Sequence, residues 1–397
     1  MIALARDHFN KQFSEKKYRD FLDDLNASYA HNIPFRVAET PIFIGNEFKH
    51  KLISGADEII DFIVQPGFQT RMSAALPTAL AVPRETNHTL FLALDFAICS
   101  TETSELVPKL IEMQGFPSLF GYQDFLGNKF REHYQIDDNW NFHFGLSSSQ
   151  YWELLKRNIL NGHDPENVVL LEIDPLKQNT TIDFLVTQAH LGTPLVHIGD
   201  VIIRNKKLYY KQEGKEIPIH RIYNRVIFDE LLQKKDLQTQ FHLTEDVDVE
   251  WAGHPNWFFK ISKYTMPFLK GAAVPDSQFL HQVSAIPADL ENYVLKPLFS
   301  FSGSGVIFHV KAEDIEAIPA DQRHNFMLQR KVHYEPIVQA VDGLVKAEVR
   351  LLYVWEEGKI RPELVTNLAR LSRGDMIGVK YNKDKTWVGG TVCFFER

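Results

Sequence analysis

Apolar positions follow helical spacing near the start of the chain and merge into continuous runs further on. In the first 30 residues Phe9, Phe13, Tyr18, Phe21 and Leu22 recur at helical spacing among charges, which predicts a surface helix. A proline-punctuated stretch, NIPFRVAETPIFI, leads to a second helical run from Phe48 to Ile63. There Leu52, Ile59, Ile60 and Ile63 form the apolar side. Residues 89–99, TLFLALDFAIC, are apolar except for Asp95 and predict a buried strand. Residues 107–114, VPKLIEMQ, predict a second strand with one carboxylate, Glu112, joined to the first by the polar link STETSE.

Residues 150–160 read as a helix ended by Asn161-Gly162. VVLLEID (168–174) predicts a buried strand. Thr180 or Thr181 can cap a following helix, TIDFLVTQAH, that stops at Gly192, and PLVHI (194–198) predicts another strand. This β-α-β unit predicts a parallel, Rossmann-like sheet. It lacks GxGxxG, so it is not read as a dinucleotide site. A hairpin-like pair, DVIIRNKKLYYK, follows, then RIYNRVIFDELL. The last third is strand-rich and mostly antiparallel by its short connections: YVLKPLF, GVIFHV, FMLQRKV, EVRLLYVWEEGKIRPELV and TVCFF.

Composition narrows the class. With 397 residues, 44% hydrophobic and 24% charged, the chain is globular, with soft boundaries near residues 150 and 255. A net charge of −8 argues against bulk nucleic-acid or anionic-membrane binding but leaves a local basic pocket open. Two cysteines, Cys99 and Cys393, are too few for a disulfide framework or a cysteine-rich zinc site. No apolar run is long enough to span a bilayer and the N-terminus has no secretory pattern, so a cytoplasmic protein is expected. HxxxH and GxSxG are absent.

Three features carry chemistry. In YVLKPLFSFSGSGV a strand delivers Lys296 to a small-residue loop containing Ser302, Gly303, Ser304 and Gly305. Small residues let backbone N–H groups approach phosphate oxygens, and a nearby lysine neutralises them. A plain glycine-bearing hairpin is the alternative. Asp95 and Glu112 are carboxylates inside apolar runs, and Gln114 shares a strand face with Glu112. An oxygen-only set of this kind suits Mg²⁺, while pairing with arginines is the alternative. Lys263, Arg350, Arg370 and Arg373 are solvated charges or, with Lys296, a set that can hold a triphosphate.

On these motifs the chain resembles the circularly permuted ATP-grasp family, which includes the synthetase domain of glutathionylspermidine synthase. YVLKPLFSFSGSGV is similar to the family's lysine strand and glycine-rich loop. LALDFAI and KLIEMQGFPSL are similar to its acidic strands, here placed before the lysines. ISKYTMPFL resembles the segment with the first nucleotide lysine, Lys263. FMLQRKV resembles the hinge strand beside adenine, with Gln329, Arg330 and Lys331. Two positions depart: Ala93 stands where the synthetases place an arginine, and Gln114 replaces an asparagine.

The resemblance implies an α/β (α+β), ATP-grasp-like, circularly permuted fold with an inserted Rossmann-like segment. The expected divisions are an N-terminal region 1–75, a metal-binding part 76–149, the inserted segment 150–254 and the nucleotide-binding lobes 255–397. It implies ATP and Mg²⁺, with Asp95, Glu112 and Gln114 on metal. Lys263, Lys296, Ser302, Gly303, Ser304, Gly305, Gln329, Arg330 and Lys331 would meet nucleotide, and Arg350 and Arg370 the transferred phosphate. The implied reaction joins a small-molecule or peptide-like carboxylate to an amine through an acyl phosphate. A catalytically silent nucleotide-binding protein is the alternative.

Overall fold

The apolar runs around Asp95 and Glu112 become neighbouring antiparallel strands, Phe91–Ser100 and Leu106–Gln114. Every position from Phe91 to Cys99 is buried, so neither face of that strand needs a polar stripe. The computed structural model describes residues 2–300, 304–374, 377, 382 and 384–397. Within them these strands lie in a six-stranded sheet. Its order runs Gly389–Thr391, Glu363–Ser372, Gly343–Val354, Phe91–Ser100, Leu106–Gln114, with Pro336–Ala340 also paired to Gly343–Val354. All its pairings are antiparallel. Strands far apart in sequence therefore meet: Asp95 stands beside Arg350 on one side and Glu112 on the other.

The helix Asn46–Ile63 forms where its periodicity predicts and packs on the Leu106–Gln114 strand, with Leu52, Ile59, Ile60 and Ile63 buried. The N-terminal helix is two helices, Ala3–Gln12 and Glu15–Ser28. Ser14 breaks the run because its hydroxyl accepts from the Lys17 N–H and starts a new helix. An unanticipated helix, Phe120–Tyr134, precedes the helix Ser148–Leu160. Its two glycines, Gly121 and Gly127, disguise it, since glycine disfavours helix interiors. A Cβ at Gly127 would lie 2.7 Å from the Phe142 ring, so packing demands the small residue.

The β-α-β unit is present. Val168–Glu172 and Leu195–His197 are parallel neighbours joined through the helix Thr181–Leu191, which ends with Gly192 at φ +75°. Arg221–Asn224 and Glu250–Ala252 extend this sheet, again in parallel. Neither threonine caps the helix. Thr180 makes no capping bond, and the Thr181 hydroxyl turns back to the Pro175 and Gln178 carbonyls. The hairpin DVIIRNKKLYYK turns at Asn205 and Lys206, both at positive φ, which suits a two-residue turn.

Phe326–Arg330 lies between Ser277–Phe279 and Tyr293–Pro297 in a smaller antiparallel sheet. Of the expected strand GVIFHV, a bridge between Ile307 and Leu295 forms. At the C-terminus Cys393–Glu396 pairs in parallel with Ile42–Ile44 and antiparallel with Trp140–Asn141. This joins residues some 350 positions apart into one small sheet.

Glu172 ends the central parallel strand almost fully buried, accepting the Ile173 N–H at 2.6 Å. Burial pushes its carboxyl up to about 8 from 4.5, so the folded protein holds a proton that the unfolded chain releases. Stability is spared below pH 4.5, falls as pH rises toward about 8, and stays reduced above it. Glu172→Gln should therefore stabilise the protein by about 2 kcal/mol at neutral pH and by little at pH 4. Denaturant titrations at both pH values check this, and equal effects at the two would contradict it.

Candidate functional site

One face of the six-stranded sheet carries three acidic and two basic side chains in adjoining positions. The period of two along a strand puts Glu348 and Arg350 on the same face, and the register sets Asp95 beside Arg350 and Arg370 beside Glu348. Asp95 is completely buried. Its Oδ1 accepts from Arg350 Nε at 2.5 Å, and its Oδ2 accepts from Arg350 Nη2 and Arg370 Nη2, each at 2.7 Å. Arg370 also donates to Glu348, whose second oxygen accepts from the Tyr334 hydroxyl at 2.6 Å. Glu348 and Tyr334 have no place in the sequence reading. Glu348 was within reach of it, two residues before Arg350, whereas nothing in the sequence singles out Tyr334.

Glu112 joins this face through a β-bulge. Asp95 pairs with Glu112 and the next residue, Phe96, pairs with Leu110, leaving Ile111 as the extra residue. The carbonyl of Ile111 accepts from Lys296 Nζ at 3.1 Å. Glu112 lies 3.7 Å from Lys263 and 3.6 Å from Arg350, and its Oε1 accepts from Gln114 Nε2 at 3.0 Å. Lys263 reaches the site from a 3-10 turn, Lys263–Phe268, begun by a capping box at Ser262. That segment lies close because the Gly115 N–H bonds the Ile261 carbonyl, and a Cβ at Gly115 would sit 2.6 Å from the Trp257 carbonyl. Lys260, by contrast, is paired with Glu85 at 2.5 Å.

Electrostatics follow from this crowding. Burial raises the Glu112 carboxyl, but Lys263 first, then Arg350, Arg370 and Lys296, bring it down to about 2. Burial lowers the Lys296 ammonium to about 8 even though Glu112 draws it upward. Burial holds the Glu348 carboxyl above its ordinary value against the pull of Arg370. Four cations, Lys263, Lys296, Arg350 and Arg370, thus face three carboxylic groups, one of them biased toward its neutral form.

The other expected residues are placed less centrally. Lys263 Nζ donates to the Ser300 carbonyl, which ties it to the start of the small-residue loop. Ser302 and Gly303 lie outside the described residues. Ser304 is exposed, and Gly305 turns at φ +69° against the Pro297 ring, a conformation that favours glycine. Gln329 is buried on the Lys296 face of the smaller sheet, its Nε2 3.9 Å from Met266 Sδ. Arg330 and Lys331 point elsewhere. Arg330 pairs with Asp289 at 2.6 Å over the Tyr293 ring, and Lys331 bonds the Glu291 carbonyl. Arg373 pairs with Asp342, away from the cluster.

The expected metal ligands come together, but their donor set does not fit a magnesium ion. Both Asp95 oxygens are taken by guanidinium groups, and Glu112 is shared among an amide, an arginine and a lysine. Gln114 Oε1 is buried without a hydrogen-bond partner among the described residues, one neutral amide oxygen where the carboxylates are already engaged. No group of three or more His, Cys, Asp or Glu among the described residues is arranged to hold a metal. Ala93 is completely buried beside Gln114 and Leu352, so no cation projects from that position.

Among the described residues no helix is long and apolar enough to cross a membrane. No family model and no curated protein matches the chain. A solved structure of a glutathione synthetase-like effector from Globodera pallida, in its apo form, is similar in fold. The TM-score is 0.61 over 96% of both chains, at 9% sequence identity. At that identity the likeness concerns the fold: a mixed α/β chain arranged like a glutathione synthetase-like protein.

Proposed function

We propose that this chain is an ATP-grasp-like protein, of circularly permuted order, that binds ATP through its phosphates and acts as a carboxylate–amine ligase. One observation carries the reading: Lys263, Lys296, Arg350 and Arg370 converge on a single buried sheet face from four separate segments. Asp95, Glu112 and Glu348 offset part of the cost of burying these cations, and a bound polyanion would offset the rest. The order of the parts supports the permuted arrangement, since the strands of Asp95 and Glu112 precede Lys263 and Lys296 in the chain.

In this reading Lys263 and Lys296 bond phosphate oxygens, and Gln329 lies beside the base. Arg350 and Arg370 face the phosphoryl group in transfer. A substrate carboxylate oxygen attacks the γ-phosphorus, its bond to the ADP oxygen breaks, and an acyl phosphate and ADP result. An amine then attacks the acyl carbon, phosphate leaves, the amide forms and one proton is released. The protein positions reactants and neutralises charge rather than forming a covalent intermediate. Ala93 favours a second reading, a protein that binds the nucleotide and transfers nothing, because that position offers no charge to the reacting phosphoryl.

Two measurements test these readings. Lys296→Ala should weaken ATP binding about tenfold or more in calorimetry, the worth of one charge-assisted hydrogen bond. Unchanged affinity would remove the lysine strand from the site. Incubation of the wild-type protein with ATP and mixed carboxylates and amines should release phosphate only when both acceptors are present. Binding without release across a broad panel would establish the second reading.

A further inference from the structure

The carboxylates that would hold magnesium are the ones that hold the arginines, and this decides how charge is balanced when an anion arrives. Both Asp95 oxygens accept from guanidinium groups, and drawing the carboxylate onto a metal ion would leave Arg370 with Glu348 and Arg350 with Glu112 at 3.6 Å. Lys296, in contrast, bonds a neutral carbonyl, and the Arg370 side chain is 31% exposed. The Arg370 Nε is buried with no partner among the described residues. A polyphosphate therefore meets donors carrying charge already in place, with geometry suited to phosphate oxygens.

We infer that the guanidinium groups of Arg350 and Arg370, fixed by Asp95, occupy the role a divalent cation would fill, so that the site takes a nucleoside triphosphate or other polyphosphate without metal. The inference rests on the anion-binding reading above and adds the independence from metal. Asp95 is then a positioning residue: it holds Arg350 and Arg370 through three hydrogen bonds and moderates their charge. Removing its charge while keeping its shape frees both arginines for the anion.

Calorimetry on the full chain separates the possibilities. ATP, and separately inorganic tripolyphosphate, are titrated in EDTA and again with excess Mg²⁺. The expected result is an affinity for ATP that differs by less than about threefold between the two conditions, with tripolyphosphate also binding in EDTA. A loss of about tenfold or more in EDTA, or tripolyphosphate that fails to bind there while ATP does, would overturn the inference. No binding of ATP in either condition would instead overturn the anion-binding reading itself. As a second measurement, Asp95→Asn, checked for a native circular dichroism spectrum, should bind tripolyphosphate in EDTA at least about threefold more tightly than the wild type. A metal ligand would give the opposite sign, with weaker binding confined to the Mg²⁺ condition.

Discussion

Asp95 bonded to Arg350 and Arg370 is the constraint around which the site is built. Three strands contribute: Phe91–Ser100 supplies the carboxylate, Gly343–Val354 one guanidinium and Glu363–Ser372 the other. Breaking such a pair inside a protein costs about 3–5 kcal/mol, because the partner left behind is buried and charged. Register is therefore doubly fixed, by the apolar neighbours Leu92, Leu94 and Phe96 and by this ionic cross-link. A slip of one residue would turn Asp95 to the other face and leave both arginines without it.

Everything else reaches the site by leaning on that face. The bulge at Ile111 turns a carbonyl toward Lys296 and keeps Glu112 level with Asp95. The close contact at Gly115 brings in the turn that starts with Lys263. The smaller sheet, with its own apolar cluster around Leu295 and Leu328, presents Lys296 and Gln329 from the opposite direction.

Much of the architecture was legible from periodicity. The continuous apolar runs became buried strands, and the β-α-β pattern gave a parallel pair because a crossover, here the helix Thr181–Leu191, returns the chain in the same direction. What failed did so for local reasons. Ser14 offered a capping hydroxyl inside an amphipathic run. Gly121 and Gly127 were selected by contact with neighbouring side chains rather than by helix propensity. GVIFHV makes one bridge, Ile307 to Leu295, along the edge of Tyr293–Pro297 that faces away from Phe326–Arg330.

For the site, sequence determined the inventory: carboxylates within apolar runs, lysines beside a small-residue loop, arginines in late strands. Those identities require partners, since an isolated buried charge is not tolerated. The choice of partner was decided only by the tertiary structure. Sequence spacing suited Asp95 and Glu112 to a metal, while sheet register set Arg350 beside Asp95 across 255 positions. It also brought in Glu348 as a third carboxylic group. Pairing across strands depends on which segments become neighbours, and that is a property of the whole fold that no local pattern contains.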